Sequence, residues 1–491
     1  MGEELAQFPL EFNGSIRIES RPERLSSEAG AVVLREIIER YGITRWMTER
    51  LHDPRNRDLI THPLEEMLNT WLLLLAQGWR DRDDADTLRD DPVLRLAVSN
   101  RRGTSPLRKR EPRADGQPLG KNPAVPDGLA SQPTLSRLGR ALSSEGNCKI
   151  VREALLELAA RRIKSSRGGH RMRYLTVDVD SLPVEVHGHQ PGSEHNGHYH
   201  TRIYHPLVAS AAETGDLLDL RLREGNVHTA DGALSFIVDL LDRVEEKVCQ
   251  VAAVRIDAGF PEENLLAALE ARRTPYVARV KNNPVLDRMA EPYLRRPVGR
   301  PTKEPRTWLY EMSYRAESWS RERRVVLVVL ERADELFLHH FWIITNWAAD
   351  QKSGDDLLEH YRQRGTAEGH MGELMNVLRP ALSSATRPKT HYRDEAPTTR
   401  TPSCAIDAFA HNEMILLINA LAYNVAHVAR TMVEAATHEG WSLQRLRERV
   451  LRVACRVLVH GRRVVLVIND VAASLWSTLW SRLRLLRPAE S

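Results

Sequence analysis

The sequence predicts an α/β protein: a mixed sheet flanked by helices, with an inserted β-layer and a helical N-terminal domain. Three observations lead there. Residues 28–98 carry apolar side chains at helical spacing. Between Tyr174 and Asn283 the segments run strand, strand, strand, helix, strand, helix, strand. Three more apolar, β-branched segments then crowd into residues 308–347.

Residues 1–30 are mixed in character and read as an extended arm or a short strand. Leu34–Leu51 sets Leu34, Ile37, Ile38, Tyr41 and Met47 near one stripe of a helix. Thr61 reads as a cap before Pro63, opening an apolar helix over Leu64–Gln77. Residues 101–128 are rich in proline, glycine and base, with Arg101, Arg102, Arg108, Lys109, Arg110 and Arg113, and read as a loosely ordered linker. An N-terminal packing or DNA-binding domain with its linker therefore spans residues 1–128.

Residues 129–290 are the first part of the core. Tyr174–Val186 alternates as a strand, so Asp178 and Asp180, two apart, share one face. Carboxylates inside a strand need a reason, such as a metal or an edge position. Strands over 201–209 and from Leu217 follow, then an amphipathic helix at Ala230–Lys247. Ala252–Phe260 is a buried strand with Asp257 towards its carboxyl end, where open α/β sheets place their chemistry. A helix at Pro261–Arg272 and a strand at Thr274–Asn283 complete this part. Residues 291–350 form the inserted strands and 351–430 the last part of the core, with one helix over Leu357–Met375. Residues 431–491 form a basic tail of helix, strand and helix.

A chain of 491 residues can hold several domains, and 42% apolar with 28% charged residues is ordinary for a soluble protein. The net charge is only +4, but Lys and Arg total 70 and cluster, and the arginine fork suits phosphate. The four cysteines, Cys148, Cys249, Cys404 and Cys455, have no paired spacing, which points to a reducing, cytoplasmic setting. No leader pattern opens the chain, and the longest apolar run, Trp71–Ala76, is too short to span a bilayer, so no membrane partner is expected. The absence of G-x-S-x-G and G-x-x-x-x-G-K-[ST] argues against a serine hydrolase and against ATP dependence.

Tyr361, Arg364 and Glu368 fall on one helix face, a phenol, a guanidinium and a carboxylate pointing together. Beside Asp180 and Asp257, Glu368 makes a third acid. Three converging carboxylates repel unless cations neutralise them. Oxygen ligands of this kind suit Mg²⁺ or Mn²⁺. Two such ions roughly 4 Å apart can activate a water or hydroxyl and stabilise the departing oxygen in phosphodiester transfer. His187, His189, His195, His198, His200 and His205 read as a polar loop near DNA rather than a zinc site, because no cysteine accompanies them.

Several motifs resemble the DDE transposases of bacterial insertion sequences, and among them the insertion-sequence-four superfamily and its thirteen-eighty-type branch. LTVDVDSLPVEVHGHQ followed by YHPLV resembles the first aspartate strand; LREGNVH and VRIDAGFP resemble the second aspartate block, and YVARVKNNP the strand after it. HYRQRGTAEGHMGELM resembles the signature helix Y-x2-R-x3-E-x6-K, with Met375 where the lysine would stand. THPLEEMLNTWLLLLAQGWRDRDDADTLRDDP and LASQPTLSRL also match the family's style.

The resemblance implies an RNase H-like core with Asp180, Asp257 and Glu368 as catalytic metal ligands for two Mg²⁺ or Mn²⁺ ions. Asp180 is favoured over its competitor Asp178 because the family places this acid before a small residue, here Ser181. Tyr361 and Arg364 would contact phosphates. The implied reaction is cut-and-paste transposition on double-stranded DNA by a homodimer assembled on two inverted-repeat ends. Trp308, Trp319, Trp342 and Trp347 become candidates to stack on an extruded base, with core packing as the other role. A catalytically silent DNA-binding derivative and a non-transposing RNase H-like nuclease stay open as alternatives.

Overall fold

The computed structural model describes residues 3–4, 11–13, 15–16, 19–56, 58, 60–99, 107, 128–165, 172–186, 188, 190–296, 304–333, 335, 337–383, 402–460 and 463–486. The basic run from Arg101 to Arg113 lies outside them except for Leu107. The chain divides into two compact units. One comprises Met1–Thr48, Arg55–Arg137 and Val428–Ser491; the other comprises Glu49–Pro54 and Leu138–His427.

The first unit is mainly helical. The stripe Leu34, Ile37, Ile38, Tyr41 and Met47 is buried, as its spacing requires. The single helix expected there is two, Ala31–Tyr41 and Ile43–Thr48, because Gly42 takes a left-handed φ of 60° and ends the first. The helix Leu64–Gln77 has Pro63, not Thr61, at its N-cap. Its last carbonyls are satisfied by buried Arg447, which donates to the Leu75 and Ala76 oxygens. The expected helix–strand–helix tail holds a hairpin instead: Cys455–His460 pairs antiparallel with Arg463–Ile468 and, on its other side, with Leu25–Ser26. The helix Asp470–Leu485 follows.

The second unit is built on an eight-stranded sheet. Its strands in chain order are β1 (Tyr174–Ser181), β2 (Leu207–Ala211), β3 (Leu217–Arg221), β4 (Gln250–Ile256), β5 (Tyr276–Val280), β6 (Arg306–Tyr314), β7 (Arg323–Glu331) and β8 (His339–Thr345). They lie side by side in the order β6-β7-β8-β5-β4-β1-β2-β3. β1, β4 and β5 run parallel, and all other neighbours are antiparallel. Parallel neighbours need crossovers, which the helices Ala233–Lys247 and Glu263–Ala271 supply. The strands expected as an inserted layer are β6 to β8, and they extend this same sheet. β8 pairs with β5, and alternate residues of β7 are buried on both faces, so the run completes the sheet rather than covering it.

Two prolines cut strands that the alternation pattern had run together. The expected strand through Val186 breaks at Pro183. The strand over 201–209 breaks at Pro206, which has no N–H to give a ladder. Thr201–Tyr204 instead joins Val184–Glu185 and Glu194–Asn196 in a small sheet of its own.

The two faces of the large sheet are covered differently. Leu156, Phe236, Ile237, Leu240, Leu265 and Leu269, from three helices, pack on one face with Val177, Val179, Val254 and Ile256. On the other, Leu357 and Leu358 of the helix Gly354–Arg362 meet Val277, Val326, Val328 and Ile343. Since strand side chains alternate, Val177 and Val179 in the main core put Asp178 and Asp180 on the second face. Among the described residues, no helix is long and apolar enough to cross a membrane.

The β3 edge is closed by side chains of the helix Pro402–Thr437. Asn424 accepts from the Leu217 N–H at 2.9 Å and donates to the Leu217 carbonyl at 2.8 Å, while Glu413 accepts from the Leu222 N–H. Asn424 and Leu217 are both fully buried, so neither backbone group can turn to water. Asn424→Leu is expected to lower stability by about 2–4 kcal/mol, two buried backbone groups each losing a partner. Denaturant unfolding measures this, and a loss below ~1 kcal/mol would show that the amide is not closing the edge.

Candidate active site

The site begins where two strands end. β1 and β4 are parallel neighbours, in register with Val179 beside Ile256. The next residues, Asp180 and Asp257, therefore stand side by side at the carboxyl ends. The Asp257 carboxylate accepts the Gly259 N–H at 2.7 Å, turning the chain sharply after β4. A Cβ on Gly259 would come within 2.7 Å of Thr229, so this turn fits glycine at that position.

Asp180 is held on both oxygens. One accepts its neighbour Ser181 N–H at 2.9 Å, and the other accepts Nη2 of Arg364 at 2.5 Å. Arg364 is buried and pairs at the same time with Glu368. Burial pushes the Asp180 carboxyl up to about 6; Arg364 opposes the rise, and the charges of Asp257 and Glu368 add to it. The three acids expected together as metal ligands are not grouped so as to hold a metal ion: Arg364 stands between Asp180 and Glu368, and Asp257 acts on Asp180 through its charge.

Asp178 is committed elsewhere. It is buried and takes both forks of Arg255, Nε at 2.5 Å and Nη2 at 2.7 Å. Arg255 stands beside it on β4 and donates onward to the His360 carbonyl at 2.8 Å. The two aspartates of one strand face therefore differ: Asp178 is locked in a buried ion pair, and Asp180 is partly exposed at the end of the strand.

The signature segment is not one helix over Leu357–Met375. It runs as Gly354–Arg362, bends at Gln363, continues as Arg364–Glu373 and ends in a π-helical turn, Leu374–Leu378. Met375 sits half-buried in that turn. Tyr361 is half-buried against the Leu357 and Leu358 cluster, where burial raises its phenol. Arg364, expected on phosphate, instead turns in to the two carboxylates.

One residue near the acids, Tyr199, escaped the sequence reading as a site candidate. Tyr199 meets the buried His205 edge-on at 6.0 Å between ring centres. Burial raises the Tyr199 phenol, and the charges of Asp180 and Asp257 raise it further. The one available signal was the histidine-rich composition of this loop. His195, His198 and His200 are exposed, and His187 and His189 lie outside the described residues. Among the described residues, no three His, Cys, Asp or Glu side chains are grouped so as to hold a metal ion. Trp319 and Trp342 are buried in the main core, whereas Trp308 and Trp347 are only partly buried.

Comparison with known proteins follows the same line. Residues 8–388 match the family described as Transposase DDE domain group 1. No curated protein matches the chain. The cryo-EM structure of a piggyBac transposase synaptic complex with hairpin DNA is similar at a TM-score of 0.37 and 11% identity, over 93% of this chain and 82% of that one. A likeness at that level fixes neither fold nor function. With most of its length inside the family match, this chain belongs to the Transposase DDE domain group 1 family.

Proposed function

We propose that the chain is an active DDE transposase of the insertion-sequence-four type, with an RNase H-like core that cuts and rejoins double-stranded DNA at the ends of a mobile element. The observation that carries this is the pair Asp180 and Asp257 at the carboxyl ends of adjacent parallel strands, with Glu368 tied to Asp180 through Arg364. Hard carboxylate oxygens of this type fit Mg²⁺ or Mn²⁺, and a cation would offset the burial that, above all, raises the Asp180 carboxyl. Asp180, Asp257 and Glu368 would hold the metal as two ions. Bound there, it would supply Lewis-acid stabilisation of the attacking and leaving oxygens.

The chain's own residues prepare that site. Asp257 is fixed by the Gly259 N–H, and Asp180 by the Ser181 N–H. Arg364 supplies a buried positive charge at the carboxylates, where a phosphate oxygen of a DNA end would also find it. Tyr361 stands one helical turn before Arg364 as a second phosphate contact. Two copies would hold two element ends. The second reading, a DNA-binding derivative without cleavage, draws on the closed state of the acids around Arg364 and on Met375.

Cleavage of DNA carrying the element's inverted repeats, measured with Mg²⁺ and with chelator, decides between them. Wild type that nicks no better than Glu368→Gln would sink the enzyme reading. Asp257→Asn is expected to lower strand cleavage by about a hundredfold or more, since even outer partners of a metal site commonly cost 10–100-fold. The same variant should keep its gel shift on end DNA; lost binding would contradict the assignment.

The two aspartates of β1 should separate by phenotype. Asp178→Asn leaves the buried Arg255 charge half-paired and is expected to destabilise the fold by about 3–5 kcal/mol. Asp180→Asn should unfold within ~1 kcal/mol of wild type yet lose cleavage. Denaturant melts run beside the nicking assay read both, and the reverse pattern would make Asp178 the first catalytic acid.

A further inference from the structure

Residues 222–231, LREGNVHTAD, join β3 to the helix Ala233–Lys247 with no helix or strand of their own. Main-chain carbonyls in such a loop ordinarily turn to water. Here they turn inward to Arg223, which is 8% exposed. Its Nε donates to the His205 carbonyl at 2.8 Å. Its Nη1 donates to the carbonyls of His228, Thr229 and Asp231 at 3.2, 3.0 and 2.6 Å. One planar fork thus closes on four main-chain oxygens, which the single nitrogen of a lysine could not span.

Burial lowers the Arg223 guanidinium to about 10, so it stays charged at neutral pH. Among the described residues its hydrogen bonds go to carbonyls alone, and its Nη2 is buried without a partner. A buried charge with no carboxylate bonded to it is a costly way to close a loop. The geometry it imposes falls beside the acids.

The clamp reaches towards both aspartates. On one side it fixes Thr229. A Cβ on Gly259 would lie 2.7 Å from the Thr229 Cγ2 and 2.8 Å from its Cβ, so the turn after β4 rests directly on that side chain. Gly259 in turn gives its N–H to the Asp257 carboxylate. On the other side the clamp fixes His205, two residues before Leu207, which pairs with Ser181 at the end of β1. The loop is also held from sliding. A Cβ on Gly225 would collide with the Ile203 carbonyl, and the Gly225 N–H bonds the Gly192 carbonyl at 3.0 Å.

We propose that Arg223 is a positioning residue for the acid pair. By drawing the carbonyls of His205 and of 228–231 onto one guanidinium, it sets the turn that aims Asp257 and the strand start beside Asp180. The proposal rests on the reading of Asp180 and Asp257 as the catalytic acids.

Hydrogen–deuterium exchange of the full chain, read beside nicking of inverted-repeat DNA over a range of Mg²⁺ concentrations, tests it. Arg223→Lys keeps the charge and loses the fork. Exchange should quicken about tenfold at residues 257–261 as well as at 224–231. The Mg²⁺ concentration for half-maximal nicking should rise about tenfold, with most of the rate restored at saturating Mg²⁺. Thr229→Ala leaves the guanidinium in place and removes only the support under Gly259. It should quicken exchange at 257–261 alone, and it decides the matter if Arg223→Lys does not fold. Faster exchange confined to 224–231 would make Arg223 a fastening of its own loop and overturns the proposal. So does a lowered melting temperature with the Mg²⁺ dependence of wild type, or a Thr229→Ala chain that exchanges as wild type does. Wild type that does not nick sinks the reading of the acids; the exchange result then still decides whether the clamp reaches Asp257.

Discussion

The guanidinium of Arg255, held on both forks by Asp178 in the middle of the large sheet, is the contact on which the site depends. Both groups are almost wholly shielded from water, so neither could remain charged there alone. Burial raises the Asp178 carboxyl, and Arg255 opposes that rise. The pair does more than cancel charge. It joins β1 to β4 side by side, and its remaining nitrogen donates to the His360 carbonyl and the Gln363 side chain. It therefore anchors the bend between the two signature helices directly over the strands that carry the acids.

That anchoring explains why Arg364 lies where it does. Because the first helix ends at Arg362 and the second begins at Arg364, the Arg364 side chain drops towards the sheet and meets Asp180. Asp180 and Glu368 both need positive charge, and a guanidinium on the second of the two helices provides it to both. The same residue is well placed to turn towards a phosphate, because arginine pairs carboxylate and phosphate with the same planar fork.

Edges show a second constraint. A sheet of eight strands has two open rims, and this chain treats them by different means: an asparagine from a long helix on one side, charged residues along the strand on the other.

The acid pair and the order of strands and helices were legible in the sequence, because they rest on local rules. Alternation with period two put Asp178 and Asp180 on one face, and a strand end followed by Gly259 marked Asp257. Helical spacing picked out the buried stripe from Leu34 to Met47. Other features were not local. Whether β6 to β8 cover the sheet or extend it turned on the free edge of β5, which only the assembled sheet offers. The different settings of Asp178 and Asp180 turned on Arg255, a residue on a different strand that no spacing connects to them. Arg364 had the right chemistry for phosphate by sequence, but the bend at Gln363, held by that same arginine, sent it to the carboxylates. Sequence by itself determined which residues could carry the chemistry, since residue type and periodicity are properties of the chain. Tertiary structure decided which of them are joined, since a buried charge takes whatever partner the fold brings within reach.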